Sequence, residues 1–439
     1  MKGRISFRLK DIVIMLLLLM EFRMLFLIPL GPLTKLNTYH NKMLEVAWVG
    51  VILICFMHFK VSDYKLRGAV GALLVMVTLS MVYAFIRYPG IEAKEVIVPF
   101  FSYLLLLLYF PLSDYLDTEE GMRRFIFTLQ IICIVACAVM VLQAFIYNSR
   151  HKLFLSIYEI KQNGGIPSNK SNTLRDGHLR ITYLTTGASI AMVLSLVNLI
   201  ALRTKSLLDI GCIGVSGVYF LYVARTRMYL AIFALIAVYI YFFINTRKKN
   251  KRFAILFGAV MVVVIFFAAD IPGMVSEFVE PLLTGTYKDD GSYYARIAAL
   301  LFFGESIVTH PLMGLGVVKT GAESIYAEAL RGPDKLAYFT DVGVFGGTAE
   351  FGLPFLIIFI YVLRKSFLKS SDAHVKNYAY SKALWWFIIF SSLTLSVFDP
   401  QRVIAYAIAL SFFNTSLKDR DRASAGITEN AVQRNKVLV

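Results

Sequence analysis

Nine arginines fall in the polar segments that follow every odd-numbered apolar run of this chain: Arg87, Arg150, Arg175, Arg180, Arg225, Arg227, Arg296, Arg331 and Arg402. Several stand where a polar segment meets an apolar one. Arg180 lies in GHLRITY, Arg225 and Arg227 flank one threonine in ARTRMYL, and Arg296 opens YYARIAALLFFGESIVTHPLMGLG. A guanidinium keeps its charge and grips two phosphate oxygens at once. Several on one side of a membrane suit a lipid-linked diphosphate, although each alone could reach ordinary lipid phosphates. Three groups near them could move a proton. His310 stands in THPLMGLG, Asp341 precedes an apolar run, and Glu350 lies two turns inside that run. A carboxylate at such a depth is costly and functional by default.

These side chains need apolar elements to hold them. Of the 439 residues, 58% are hydrophobic and only 17% charged, with a mean hydropathy of +0.66. A soluble domain carries more charge. Many runs approach or exceed the roughly 18–20 residues that span a bilayer. They are continuous rather than alternating, which excludes a β-barrel. The expectation is an all-α polytopic membrane protein. Its first run follows Lys2, Arg4, Arg8 and Lys10, and no small-residue cleavage site comes after it, so it reads as a retained span. The formal charge of +16 belongs to loops on the cytoplasmic side. No basic, aromatic-rich soluble module is present, which argues against nucleic acid as a partner. Cys55, Cys133, Cys137 and Cys212 all lie in apolar runs and show no disulfide or metal spacing.

Twelve spans are expected, near 12–30, 43–59, 68–86, 96–111, 125–147, 181–202, 206–224, 228–245, 253–271, 342–363, 383–398 and 403–414. An even number puts both termini on one side. The larger share of Lys and Arg, including TRKKNKR at 246–252, makes that side cytoplasmic. Two long loops then face outward, about 148–180 and 272–341. The larger carries aromatics, glycines and a helix-like stretch, so order is expected there. Residues 1–414 form one transmembrane domain. Residues 415–439 read as a polar cytoplasmic tail without fixed structure.

Each candidate has a structural alternative. Pro311 ends a helix and the following glycines turn the chain, which could leave His310 a turn residue. Asp341 could serve the helix dipole of the next span. Glu350 could be a neutral packing group. Tyr293, Tyr294, Phe302 and Phe303 could stack on sugars or fill a core. Glu21 and Arg23 interrupt the first span and read as a structural pair with other helices.

Taken in order, these motifs resemble the O-antigen ligase and Wzy-type polysaccharide polymerase superfamily of bacterial membrane glycosyltransferases. Arg180 in LRITY resembles the family's first loop arginine. Arg225 in ART resembles its Ser-Arg-Thr turn. Arg296 followed by THPLMGLG resembles its arginine helix ending in His-Pro-x-x-Gly-x-Gly. TDVGVFGGTAEFGLP at 340–354 resembles its entry into a span with a Glu-x-Gly-Leu pattern. The likeness covers about 180–363 and the twelve-span layout. Ligases carry a His-Asn pair near the end of the large loop, where this chain has Asp341. That departure favours a polymerase.

The resemblance implies a reaction on the outer face of a bacterial cytoplasmic membrane. Both substrates are glycans on undecaprenyl diphosphate, one growing and one a repeat unit. A sugar hydroxyl attacks the anomeric carbon, with inversion, and the lipid diphosphate leaves. Arg225 and Arg296 are expected on the diphosphate, with Arg180 and Arg227 assisting. Asp341 is the first candidate for the base, ahead of His310 and Glu350. No cofactor or metal is expected, because the diphosphate is already a good leaving group and no Asp-x-Asp triplet is present. Membrane lipids and a chain-length regulator complete the expected partners. Three rivals stand beside the polymerase: an O-antigen ligase acting on a lipid core, a flippase or transporter of lipid-linked oligosaccharides, and a structural partner in an assembly complex. A transporter built of two matched halves would not place its longest loop between the ninth and tenth spans.

Overall fold

The computed structural model describes residues 8–24, 36–37, 41–56, 64–153, 162–163, 166–167, 172–175, 178–204, 206–244, 291–321, 324–369, 377–393, 395 and 398–437. The expected ninth span at 253–271 and the basic stretch at 246–252 lie outside the described residues. Helices carry nearly all that is described.

Four helices are long and apolar enough to cross a membrane: α3 (Arg67–Arg87), α4 (Ala93–Leu116), α5 (Glu119–Arg150) and α6 (Thr185–Leu202). At 1.5 Å per residue, the 21 residues of α3 reach about 30 Å, the thickness of a hydrocarbon core. Two stripes divide it. Val70, Leu73, Val77 and Ala84 are buried against the bundle, whereas Val75, Leu79, Val82 and Ile86 are exposed. An apolar stripe turned outward at helical spacing is what lipid contact requires. Shorter apolar helices are α1 (Leu9–Glu21), α2 (Met43–Cys55), α7 (Leu207–Val223) and α8, which runs from Arg227 to Tyr239 and widens through Ile244. After these come α9 (Gly291–Thr309), α10 (Ala327–Arg331), α11 (Gly343–Phe351), α12 (Leu353–Ser366), α13 (Tyr378–Ser392) and α14 (Val403–Val437).

Every residue of α14 from Val403 to Lys418 is buried, so this helix forms the axis of the bundle. It does not stop near 414 as the apolar run suggested but continues through Val437. Charge pairs carry it past the apolar part. Lys65 meets Asp421 at 2.7 Å, Lys418 meets Asp117 at 3.7 Å, and Arg422 meets Asp419 at 3.4 Å one turn away. At the same end of the bundle Asp11 takes Arg124 at 2.5 Å and the Tyr115 hydroxyl at 2.6 Å.

The structure alters other expectations. The segment before the sixth expected span contains antiparallel hairpins, β1 (Gln162–Asn163) with β2 (Ile166–Pro167) and β3 (Asn172–Arg175) with β4 (His178–Ile181). Alternation in HLRI, apolar every second residue, suits a strand. Arg180 therefore lies on β4, opposite Thr173, rather than opening a helix. The expected tenth span is two helices, α11 and α12, broken at Gly352. Glu21 and Arg23 do pair with another element, as expected. Lys42 meets Glu21 at 2.6 Å and Glu45 at 3.5 Å, and Arg23 binds Glu45. All four are buried, so each charge offsets the desolvation of its neighbour. Cys133, Cys137 and Cys212 are buried free thiols, with 3.9 Å between the sulfurs of Cys133 and Cys137.

Candidate functional site

The far end of α3 is tied to the HPLMGLG turn. Arg87 contacts the His310 Nε2 at 2.6 Å and donates to the Gly314 carbonyl at 3.3 Å and the Tyr83 hydroxyl at 3.0 Å. The Tyr88 hydroxyl donates to the Leu315 carbonyl at 3.0 Å. The turn itself docks on the break between α11 and α12. Leu315 and Gly316 donate to the carbonyls of Ala349 and Glu350 at 2.8 and 2.9 Å, and Leu353 donates to the Pro311 carbonyl at 2.7 Å. A break exposes backbone groups that an apolar environment cannot satisfy. The turn satisfies them, so His-Pro-x-x-Gly-x-Gly and Glu-x-Gly-Leu are two halves of one joint.

His310 is consequently an acceptor for Arg87 rather than a candidate base at rest. Partial burial and the neighbouring Arg87 charge lower its pKa from the usual 6.5. A histidine whose folded pKa is depressed binds fewer protons folded than unfolded. Its stabilising contribution is therefore complete above pH 6.5 and lost as pH falls through the folded value. Wild type should lose thermal stability on acidification below pH 6.5, and His310→Gln should lose less. Melting curves across that range test this, and parallel curves would remove His310 from the effect.

Helix α9 carries Arg296. Ala299, Phe303 and Ser306 are its buried face, and the Phe303 ring stacks on Phe339 at 4.7 Å. Arg296 continues that stripe one turn towards the N-terminus and is exposed. Phe303 thus belongs to a core rather than to a sugar platform. The stacked Phe339 begins the short 3-10 turn Phe339–Asp341. Asp341 is exposed there, with the Thr340 hydroxyl 3.4 Å from its Oδ1. Arg331, buried nearby, lies 4.2 Å over the Tyr338 ring.

Arg180 and Arg225 come together. The Arg180 Nε donates to the carbonyl of Ala224 at 3.0 Å, the residue directly before Arg225. Arg225 has a φ of +49°, a left-handed conformation that costs an L-residue roughly 1–2 kcal/mol. Such strain concentrates at functional turns. Arg227 opens α8, and its side chain lies outside the described residues. Two residues along α8 lies the buried Tyr229, with Thr185 and Arg402 close to its hydroxyl.

That contact reveals a pair that the motif reading did not place in the site. Arg402 Nη1 binds Asp399 Oδ2 at 2.6 Å and lies 3.5 Å from the Thr340 carbonyl. Asp399 Oδ1 accepts from the backbone of Gln401 and Arg402 at 2.7 and 2.8 Å. Glu350 is buried and accepts from the Tyr103 hydroxyl at 3.1 Å, with Asp399 within electrostatic range. The signal was present in the sequence as FDPQR, two charges in a four-residue break between apolar runs. Buried nearby, the hydroxyls of Thr226, beside Arg225, and Tyr406, one turn along α14 from Arg402, have no hydrogen-bond partner among the described residues. No family model matches this chain, and no curated protein is similar to it. The structure thus joins Arg180 to the backbone just before Arg225, and Arg402 to Asp399 and to the residue before Asp341. Arg296 makes no contact with the other arginines among the described residues. Among the described residues, no group of three or more His, Cys, Asp or Glu is arranged to hold a metal ion. A guanidinium fork held in this way is suited to a multiply charged anion.

Proposed function

We propose that this protein is a polymerase of bacterial surface polysaccharide. It transfers a glycan from undecaprenyl diphosphate to the sugar of a second lipid-linked repeat unit, on the outer face of the cytoplasmic membrane. The observation that carries this reading is the contact of Arg180 with the carbonyl next to Arg225. It holds two arginines, distant in sequence, at one end of an apolar bundle, a place suited to a lipid-borne diphosphate. The apolar face of α3 supports access from lipid for the long polyprenyl tails.

In this reading Asp341 takes the proton of the attacking hydroxyl as oxygen bonds to the anomeric carbon. The bond from that carbon to the diphosphate oxygen breaks, and the electron pair leaves with the diphosphate. Charge grows on the departing oxygens, and pre-positioned guanidinium groups lower the barrier most where they need not reorganise. Arg225 and Arg180 meet the diphosphate, and Arg296 approaches from α9 with Arg227 assisting.

Proteoliposomes carrying the purified protein and undecaprenyl-diphosphate repeat units test the reading. Wild type should produce a ladder of lengthened lipid-linked glycans. Arg225→Gly, which removes the guanidinium while easing the left-handed backbone, should lower the rate by about 10²–10³-fold, as loss of one charge-stabilising group does. Arg296→Ala should also lower it. Movement of repeat units across the bilayer without any ladder would replace the polymerase by a flippase.

A further inference from the structure

We infer that Arg331 recognises the carboxylate of an acidic sugar in the acceptor repeat unit, with Tyr338 as the platform for that sugar; the assignment rests on the functional reading above. Three observations carry it.

The first is a charge that the fold leaves unpaired. Arg331 is 8% exposed. Its Nη2 donates to the Tyr338 hydroxyl, and its guanidinium lies 4.2 Å over the Tyr338 ring. Its Nε is buried without a hydrogen-bond partner, and no carboxylate among the described residues pairs with it. A buried charge is costly unless it is paired and hydrogen-bonded. One bond to a neutral hydroxyl neither neutralises a guanidinium nor uses up its donors. A carboxylate does the first and, bound to two N–H groups at once, goes far towards the second.

The second is position. The stretch RGPDKLAYFTD runs from Arg331 to Asp341. Gly332, at φ +77°, turns the chain, and the Ala337 N–H donates back to the Arg331 carbonyl at 3.0 Å. That closure returns Tyr338 over the guanidinium. The Asp341 N–H then donates to the Tyr338 carbonyl at 3.1 Å. One tyrosine therefore holds Arg331 with its side chain and the proposed base with its backbone. Leu330 and Ala337 anchor the loop in an apolar cluster with Ala299, Phe303 and Val342. An anion on Arg331 lies one short turn from the group that takes the acceptor's proton. The acceptor's own diphosphate is at the opposite end of its repeat unit from the attacking hydroxyl, so the anion expected here belongs to a sugar.

The third is the platform. Tyr338 remains 43% exposed although Arg331 lies against its ring. An open aromatic ring with a fixed guanidinium beside it matches a uronic acid. The C–H face of such a sugar packs on the ring, and its carboxylate meets the fork.

The test follows the melting of full-length protein in phosphatidylcholine nanodiscs with sodium glucuronate, glucose or sodium pyrophosphate at matched ionic strength. Glucuronate should raise the wild-type melting temperature saturably, and glucose should not. Arg331→Met should move the glucuronate midpoint upward at least about tenfold, the weight of one hydrogen bond to a charged group. Without ligand it should melt at or above wild type, because it removes an unpaired buried charge. Arg331→Lys keeps the charge and loses the fork. It should show the same upward shift, and it serves as the test if Arg331→Met does not fold. Glucuronate that leaves wild type unchanged, or that stabilises the variants at the same midpoint, would overturn the proposal. Stabilisation by pyrophosphate through Arg331, with glucuronate inactive, would also overturn it and move this arginine to the diphosphate. Chain elongation, followed in parallel, separates the two readings. Arg331-dependent binding of glucuronate in a protein that makes no ladder would discard the polymerase and keep the acidic-sugar site. A ladder without any glucuronate effect would do the reverse.

Discussion

Asp341→Asn should lower the turnover of glycan elongation by about 10²–10⁴-fold, the contribution expected of a positioned general base, while leaving the melting temperature close to wild type. Both halves follow from where the residue stands. Asp341 is exposed, at the last position of the 3-10 turn that Phe339 anchors by stacking on Phe303. Its side chain lies a long 3.4 Å from the hydroxyl of Thr340, so an isosteric amide disturbs little. Single-turnover elongation and a thermal melt on the same preparation measure the two effects. Glu350→Gln is the informative companion. Glu350 is buried and bonded to Tyr103, away from a substrate hydroxyl arriving from outside, and the amide oxygen can still accept from Tyr103. Its expected loss is small. If Glu350→Gln stops elongation and Asp341→Asn does not, the proton is taken from inside the bundle and the roles of the two carboxyls exchange.

The apolar runs made the helices legible, because hydropathy reports length and burial directly. Arg67–Arg87 and Glu119–Arg150 match the expected third and fifth spans with longer ends. What hydropathy cannot report is which polar group meets which. FDPQR is only a short polar break in the sequence, and its contact with Thr340 comes from a distant part of the chain. Likewise HPLMGLG and EFGL each carried local turn chemistry, while their mutual docking is a property of the fold. The end of α14 was missed for another reason. Residues after 414 lose their apolar pattern, and the helix goes on through charge pairs such as Lys65 with Asp421. The break at Gly352 was hidden because the residues around it are apolar on both sides, so a span of ordinary length was the simplest reading.

Gly352→Ala should be strongly destabilising. Gly352 has φ +80° and ψ −176°, a region that is nearly closed to residues with a Cβ. The space is closed as well. A Cβ there would lie 2.6 Å from the carbonyl carbon and oxygen of Leu312 and from the Pro311 oxygen. Those atoms are backbone of the docked turn and cannot rotate away. Strain of about 1–3 kcal/mol and overpacking of about 1–3 kcal/mol add to roughly 2–6 kcal/mol. Gly314→Ala meets the same joint from the other side. Its φ is +58°, and its Cβ would lie 2.4 Å from the Ala349 oxygen. Gly321→Ala is the control, since nothing lies within 4 Å of its added Cβ. Monodisperse yield and melting temperature in detergent should fall sharply for the first two and stay level for the third. The two losses should not add in the double variant, because either one already undocks the turn from the break. Full additivity would mean that the glycines act separately, and that the joint is not the unit that holds Glu350 and the start of α12 in register.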